Sequence, residues 1–124
     1  MDIIIRNSGG IPIYDQITRQ VKGLILRGEL REGEALPSMR LLAKELRISL
    51  ITTKRAYEEL ERDGFIVTMT GRGSFVAAKN LELLREEKRK QVEALLAQAA
   101  QAARTVGIPE EELCELIRLL YKDE

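Results

Sequence analysis

Two short amphipathic segments lie almost end to end near the middle of the chain, and they restrict its fold more than any other feature. Ser38 is a good N-cap for the first segment, whose apolar stripe is Met39, Leu42, Ala43 and Leu46. Ser49 is a good N-cap for the second, whose stripe is Thr53, Ala56, Tyr57 and Leu60. Because only Arg47 and Ile48 lie between them, the sequence predicts two helices joined by a tight turn, the second ending near Gly64.

A longer helix is predicted before this pair and a β-hairpin after it. Pro12 can open the helix with its preset φ, and Gly28 offers a left-handed stop. Residues 65–69 favour a strand, residues 70–73 have hairpin-loop chemistry, and residues 74–77 can return as the partner strand. Three helices followed by a hairpin is the order of a winged helix-turn-helix domain, which we place at residues 1–78. Residues 3–5 can form a small extra strand or a helix cap.

The remaining part, residues 79–124, differs in composition and consists mainly of Leu, Ala, Glu, Gln, Lys and Arg. It has no Gly or Pro between Lys79 and Val106, and after the break at residues 107–109 a second amphipathic helix is predicted. The two helices are expected to form an antiparallel hairpin. A pair this small buries too little area alone, so we expect it to join a second copy as a homodimer. The predicted dimer seam is Leu84, Val92, Leu95, Ala99, Ala102, Val106, Leu113, Leu116, Ile117 and Leu120. The fold class is α+β, mainly helical.

Composition excludes most enzyme classes. The chain has no His and one Cys, Cys114, which removes Ser-His-Asp and Cys-His arrangements, an internal disulfide and a thiolate zinc cage. Its carboxylates follow helix faces rather than forming an acid–base cluster. We therefore expect no enzyme, no cofactor and no metal, and we interpret Cys114 as a buried small hydrophobe rather than a redox sensor. Without an apolar run of about 18 residues, a cytoplasmic protein with no membrane contact is expected.

Charge is balanced overall, with 20 Lys and Arg against 20 Asp and Glu, but it is sorted along the second short helix. In a helix-turn-helix the N-terminal end of this helix enters the DNA major groove. The side chains turned away from the buried stripe at that end are Ser49, Leu50, Ile51, Thr52, Lys54 and Arg55. The acidic residues lie further along, at Glu58, Glu59, Glu61 and Asp63. This distribution allows a neutral chain to bind a polyanion.

Further candidate DNA contacts lie outside that helix. Arg40, near the start of the preceding helix, can reach a phosphate or an outer base. Arg72 beside Gly71 places a cation on the hairpin tip, which suits a minor groove or a flanking phosphate. The alternative for these residues is a solvated charge or an ordinary turn. Leu50 and Ile51 are apolar at an exposed helix end, where they can pack on thymine methyl groups, unless one of them belongs to the core.

These residues resemble the N-terminal domain of GntR-family transcription regulators over most of residues 1–78. The matching segments are residues 12–17, 28–30, 33, 36–43, 56–60, 64–66 and 71–76. The short C-terminal part is similar to the small YtrA-type branch, which implies dimerisation through these helices and repression of operons that encode ABC transporters. The resemblance implies DNA contacts at Arg40, Leu50, Thr52, Lys54, Gly71 and Arg72. Many members have Arg at position 50 and Gly at position 47, which implies a missing guanine contact and a different turn here.

The sequence thus predicts a dimeric, sequence-specific repressor that reads a pseudo-palindromic operator in double-stranded DNA. Helix 49–62 is expected in the major groove, and residues 70–73 at the minor groove or flanking phosphates. An unidentified small-molecule effector between the two parts of the chain is compatible with the pattern, although no charged constellation marks its site. The alternative is a winged-helix protein-interaction module without specific DNA binding.

Overall fold

The computed structural model describes residues 1–77 and 81–122. Its helices are α1 (Ile13–Leu26), α2 (Met39–Leu46), α3 (Leu50–Arg62), α4 (Leu81–Val106) and α5 (Glu110–Lys122). Two strands, β1 (Ile66–Met69) and β2 (Gly73–Val76), follow α3 along the chain. This order confirms the α+β, mainly helical fold with a winged helix-turn-helix. No helix in the described ranges is long and apolar enough to cross a membrane.

Serine caps fix the starts of the two helix-turn-helix helices. The Ser38 hydroxyl accepts a hydrogen bond from the Leu41 N–H, and the Ser49 hydroxyl accepts one from the Thr52 N–H, both at 3.1 Å. Between the helices, Arg47 adopts a left-handed conformation with φ 57° and ψ 49°. The sequence implied a turn unlike one made by glycine, and that expectation is wrong, because Arg47 takes the backbone conformation that glycine adopts most easily.

The hydrophobic core of the first unit lies where α1, α2 and the hairpin meet α3. Both α1 and α2 pack against α3, which is in turn packed on β1. The predicted buried stripe of α3 is confirmed, with Thr53, Ala56, Tyr57 and Leu60 each at most 1% exposed. Because this stripe is fully buried, the opposite face at the start of α3 is the one left for solvent or a ligand.

The sheet is the predicted two-stranded hairpin, and a segment before α2 bridges to its outer edge. Strands β1 and β2 pair antiparallel, with Ile66 opposite Val76 and Met69 opposite Gly73. Residues 33–36 run along the outer side of β2: the Gly33 N–H donates to the Val76 carbonyl and the Val76 N–H donates to the Glu34 carbonyl, both at 2.9 Å. The sequence predicted only a turn-rich passage there. These hydrogen bonds join residues about 40 positions apart, so no local sequence pattern could predict them.

Glutamine side chains on α1 hold the N-terminal residues in place. Gln20 pairs with both the N–H and the carbonyl of Ile4, at 2.9 and 2.8 Å. Gln16 makes the same two bonds with Arg6, at 2.8 and 2.7 Å. Ile3 is buried and Ile4 is 65% exposed, an alternation typical of a strand. Residues 3–5 therefore form neither a strand of the sheet nor a helix cap, but a strand-like segment bonded to side chains.

The chain divides into two compact units, Met1–Leu84 and Arg85–Glu124. The predicted domain boundary at residues 78–79 lies outside the described residues. Leu81 and Leu84, in the first turn of α4, pack against the core of the first unit. Leu84 was predicted to lie in the dimer seam. In this structure its side chain instead packs on the core of the first unit, and this contact removes apolar surface from water.

The second unit buries few of its own side chains. Helix α4 ends in a left-handed turn at Gly107 (φ 76°), where the Ile108 N–H donates to the Ala103 carbonyl at 2.9 Å. Ala103 is the one buried side chain of α4, and none of the described side chains of α5 is buried. Cys114 is exposed. The interpretation of Cys114 as a buried hydrophobe is therefore wrong for the isolated chain, because Cys114 lies beside the partly buried Leu113 and Ile117 and is itself exposed.

Candidate nucleic-acid interface

The start of α3 presents a compact set of exposed polar groups. The hydroxyls of Ser49 and Thr52 lie 2.8 Å apart, and the Ser49 hydroxyl also caps the helix. Both residues were predicted as DNA contacts. Because the Ser49 hydroxyl bonds both to the Thr52 hydroxyl and to the Thr52 N–H, it has one hydrogen-bonding position left for an external group, whereas the Thr52 hydroxyl has two. The N-terminal end of the helix also carries the positive end of the helix dipole, which favours an anion.

A groove of about 380 Å³ lies between α2, the first half of α3 and the β-hairpin. It brings together four residues that the sequence singled out on three separate elements. Arg40 comes from α2, Leu50 and Lys54 come from α3, and Gly71 comes from the hairpin tip. Two residues that the sequence analysis did not propose as contacts, Met39 and Met69, also line it. Only the tertiary fold identifies them, because neither has a local pattern that points to a ligand.

Neither apolar residue at the start of α3 belongs to the core. Ile51 is 81% exposed and Leu50 is 41% exposed. The alternative that one of them is buried is therefore wrong. Leu50 faces the groove, whereas Ile51 stands at the exposed end of the helix outside the groove lining. Exposed apolar side chains grouped beside cations are unusual on a monomeric surface and are typical of a contact surface.

Positive and negative charge are separated along α3. Lys54 lies 4.0 Å from Glu58, an exposed contact that contributes little to stability. The side chains of Arg40 and Arg72 have no carboxylate within 4.0 Å in residues 1–77 and 81–122. At the other end of α3, Asp63 forms an ion pair of 2.7 Å with Lys22 of α1. Asp63 is thus neutralised far from the groove, while Arg40 and Arg72 keep their donors available.

Arg55 takes a different direction from Lys54. Its guanidinium carbon lies 3.8 Å from the centre of the Tyr14 ring in α1, and Arg55 is not part of the groove lining. The sequence placed Arg55 on the same face as Lys54, as a contact to phosphate or guanine. The structure separates the two cations onto the groove side and the α1 side of the helix.

One wall of the groove is held from inside by Tyr57. Its side chain is 1% exposed, and its hydroxyl donates a hydrogen bond of 2.7 Å to the carbonyl oxygen of Pro37. Burial, with a smaller contribution from the charge of Glu45, raises the pKa of Tyr57 to about 12. The phenol therefore stays protonated and keeps donating throughout the neutral range. The sequence identified Tyr57 only as part of an apolar stripe.

The described residues contain no group of three or more Cys, Asp or Glu side chains placed to hold a metal ion. The groove chemistry rests instead on cations, apolar side chains and backbone groups.

Comparison with known proteins identifies the family. Residues 13–76 match the profile of the bacterial regulatory proteins of the gntR family. The chain is 38% identical over 112 residues to the HTH-type transcriptional repressor YtrA of Bacillus subtilis, covering 90% of this chain and 86% of that protein.

Two solved structures extend the likeness. A transcriptional antiterminator from Listeria monocytogenes superposes with a TM-score of 0.71 at 29% identity, covering 99% of this chain and 92% of the other. YtrA from Sulfolobus acidocaldarius, a GntR-family transcription factor, gives a TM-score of 0.59 at 36% identity, covering 73% of this chain and 97% of the other. The family and these relatives are regulators rather than enzymes. The chain belongs to the GntR family of DNA-binding transcription regulators, with YtrA-type relatives.

Proposed function

We propose that this protein is a dimeric repressor that reads a pseudo-palindromic operator with the N-terminal end of α3 in the major groove. The observation that carries the proposal is the shared groove of Arg40, Leu50, Lys54 and Gly71, which brings two cations and an apolar side chain from α2 and α3 next to the hairpin tip. Arg72 on the hairpin tip extends this surface toward the minor groove or a flanking phosphate. The two half-sites would lie about one helical turn apart, roughly 34 Å.

We infer a kind of DNA contact for each of these residues from its chemistry. Lys54 and Arg40 supply positive charge for phosphates or guanine edges, and Thr52 and Ser49 offer hydroxyls to either. Leu50 and Ile51 supply apolar contact surface for thymine methyl groups. The resulting preference is for T-containing steps at the position that faces the start of α3.

Repression follows from the relatives rather than from the groove. The Bacillus subtilis relative is named as a transcriptional repressor and covers most of this chain. We infer that this protein also represses, and that its target is a transporter operon or a neighbouring operon. We expect the protein to act in the cytoplasm, where it would reach its operator DNA.

The dimer is supported by the unsatisfied apolar surface of the second unit. Most of the large side chains in the predicted seam are at least 45% exposed in the single chain. These are Val92, Leu95, Val106, Leu116 and Leu120. Such a concentration of exposed apolar side chains on two helices is typical of an interface. A second copy of the chain, related by a two-fold axis, would cover them and would match an operator with two half-sites.

Fluorescence anisotropy tests the DNA-binding part of the proposal. The full-length protein is titrated onto a duplex taken from the region upstream of its own coding sequence and onto a scrambled duplex, at several salt concentrations. We expect a preference for the upstream duplex, two protomers per site, and log affinity that falls linearly with log salt. Lys54→Ala and Arg72→Ala weaken binding, whereas Arg19→Ala, a variant of an exposed α1 cation paired with Asp15, does not.

The competing function is a protein-interaction module. It is favoured if neither duplex binds even at low salt, because a DNA-binding surface retains non-specific affinity under those conditions. Equal binding of both duplexes, unaffected by Lys54→Ala, also contradicts the proposed groove.

A further inference from the structure

We propose that Arg55 and Tyr14 form a phosphate-binding pair, in which Arg55 contacts the DNA backbone on the α1 side of α3 and Tyr14 positions its guanidinium. This inference rests on the proposed function, because it assumes that the start of α3 enters the major groove. It adds a residue of α1 to the interface and narrows the role of Arg55 from a contact to phosphate or guanine to a contact with the backbone.

The stacked geometry defines which part of Arg55 is available. The guanidinium carbon lies 3.8 Å from the centre of the Tyr14 ring, so the cation is close to the ring. A guanidinium carries five N–H donors around its edge, so a contact of its carbon with one ring face leaves donors for an external acceptor. Tyr14 is half-buried and packs against the hydrophobic core, whereas Arg55 is exposed. The ring is therefore a fixed platform that holds an exposed cation.

Among the described residues no carboxylate pairs with Arg55, although Glu59 of the same helix is at a suitable spacing. Glu59 lies four positions further along α3, the spacing at which Arg and Glu commonly pair on a helix. In the part of the chain that the structure describes, the Arg55 guanidinium makes no ion pair or hydrogen bond, and it lies over the Tyr14 ring. Lys54, by comparison, lies 4.0 Å from Glu58. The stack keeps Arg55 away from Glu59 and leaves its donors for an external acceptor.

The position of the pair favours phosphate over base. Lys54 lines the groove between α3 and the hairpin, but Arg55, about 100° further round the helix, lies against Tyr14 of α1. A helix seated in the major groove has a sugar–phosphate backbone on each side, and contacts on these sides position the protein without reading sequence. A planar guanidinium with free edge donors matches the oxygens of a phosphate.

A double-mutant cycle tests the pair, with the full-length protein, the upstream duplex, the scrambled duplex and several salt concentrations. The variants are Arg55→Ala, Tyr14→Leu, Tyr14→Phe and the double variant Arg55→Ala with Tyr14→Leu. We expect Arg55→Ala to weaken both duplexes by the same factor, roughly threefold to tenfold, and to reduce the salt slope by about 0.9 for each protomer bound. Tyr14→Leu should weaken binding in the wild-type background and add little once Arg55 is absent. Tyr14→Phe keeps the ring and should bind as the wild type does.

Thermal unfolding separates positioning from a purely structural role. If Tyr14 only supports the packing of α1 on α3, Tyr14→Leu lowers the melting temperature and affects binding equally with and without Arg55. That result overturns the inference, as does an unchanged salt slope in Arg55→Ala. Lys54→Ala in the same titrations tells the two proposals apart. If it weakens binding while the Tyr14 and Arg55 effects are additive, only the pair is wrong. If it has no effect and neither duplex is preferred, the proposed function is wrong as well.

Discussion

The hydroxyl of Tyr57 in α3 donates a hydrogen bond of 2.7 Å to the carbonyl oxygen of Pro37, which directly precedes the N-cap of α2. This contact joins the two helices of the helix-turn-helix at a point 20 residues apart in sequence. Both residues also line the groove. This hydrogen bond therefore adds to the packing of α2 on α3 in holding together the walls on which the candidate DNA contacts lie.

Removing this hydroxyl should cost stability without changing the packed volume much. Tyr57→Phe leaves the Pro37 carbonyl without its donor, so we expect the free energy of unfolding to fall by about 1–2 kcal/mol at neutral pH. Chemical denaturation measures it. Tyr121→Phe is the matched control, because the Tyr121 side chain is 82% exposed and its hydroxyl should contribute almost nothing. Equal stability of the two variants would contradict the role given to the Tyr57 bond.

The same hydroxyl predicts a loss of stability at alkaline pH. The pKa of Tyr57 is raised to about 12 by burial, above the value of about 10 for an unfolded tyrosine. Below pH 10 the phenol is protonated in both states, so its contribution is fully present. Between pH 10 and 12 only the unfolded state loses the proton, and the free energy of unfolding should fall with pH. Denaturation at stepped pH, compared with Tyr57→Phe, should show a decline in the wild type that the variant lacks.

Arg47→Gly should stabilise the protein. Arg47 has a φ of 57°, a conformation that costs a residue with a side chain about 1–2 kcal/mol. Glycine avoids this cost but loses about 0.4–1 kcal/mol through the greater freedom of the unfolded chain. We therefore expect a net gain of roughly 0–1.6 kcal/mol, with a midpoint of about 0.8 kcal/mol, from these two effects. Arg47→Ala keeps the left-handed strain and should give no gain. A gain of the same size in both variants would point to the arginine charge instead of the backbone.

Gln16 should hold the N-terminal segment in place. Its side-chain amide bonds to the N–H and carbonyl of Arg6 and to the carbonyl of Ile11. Gln16→Ala removes all three bonds, so we expect hydrogen exchange at the Arg6 amide to become much faster and the free energy of unfolding to fall by about 1 kcal/mol. Arg19→Ala, which removes only an exposed ion pair on the same helix, serves as the control. Unchanged exchange at Arg6 would mean that its amide is not held by Gln16.

Leu50 should make operator binding sensitive to thymine methyl groups. Replacing thymine by uracil in the duplex deletes only the methyl group, and each lost apolar contact should weaken wild-type binding by about fourfold. Leu50→Ala should reduce this difference at one position of each half-site. Val67→Ala is a suitable control, because Val67 is 43% exposed on β1 but does not line the groove. Uracil substitution without any effect on wild-type affinity would exclude the apolar contact.

A charge in the seam of α4 should separate the dimer. Leu95 is 56% exposed in the single chain, and Leu95→Glu would place a carboxylate in the proposed interface. Sedimentation velocity should then show a monomer, and operator affinity should fall because the two half-sites no longer bind together. Ala97→Glu adds the same charge on the opposite face of α4 and should remain dimeric. If both variants stay dimeric, α4 does not form the interface through this face.

Local patterns were enough to predict most of the secondary structure. The serine caps of α2 and α3 bond to residues three positions away, and the buried stripe of α3 follows a period of 3.6 residues. Both features can therefore be predicted from short stretches of sequence. The hairpin was equally visible, because Gly71 and Gly73 supply the positive φ that its turn requires. The family match over residues 13–76 agrees with what these patterns indicated.

Contacts between distant residues were decided only by the tertiary structure. Three contacts join segments that helical or strand periodicity does not connect. They are the hydrogen bonds of residues 33–36 to β2, those of Gln16 to Arg6, and the contact of Arg55 with the Tyr14 ring. Arg47 adopts a left-handed turn against its own preference, with the Ile48 N–H bonded to the Ala43 carbonyl at 3.0 Å. The sequence by itself determined the helices, the hairpin and the cations at the start of α3, because caps and periodicity act between near neighbours. Packing between elements decides that Lys54 lies on the groove side of α3 and Arg55 on the α1 side, so only the tertiary structure determined their positions.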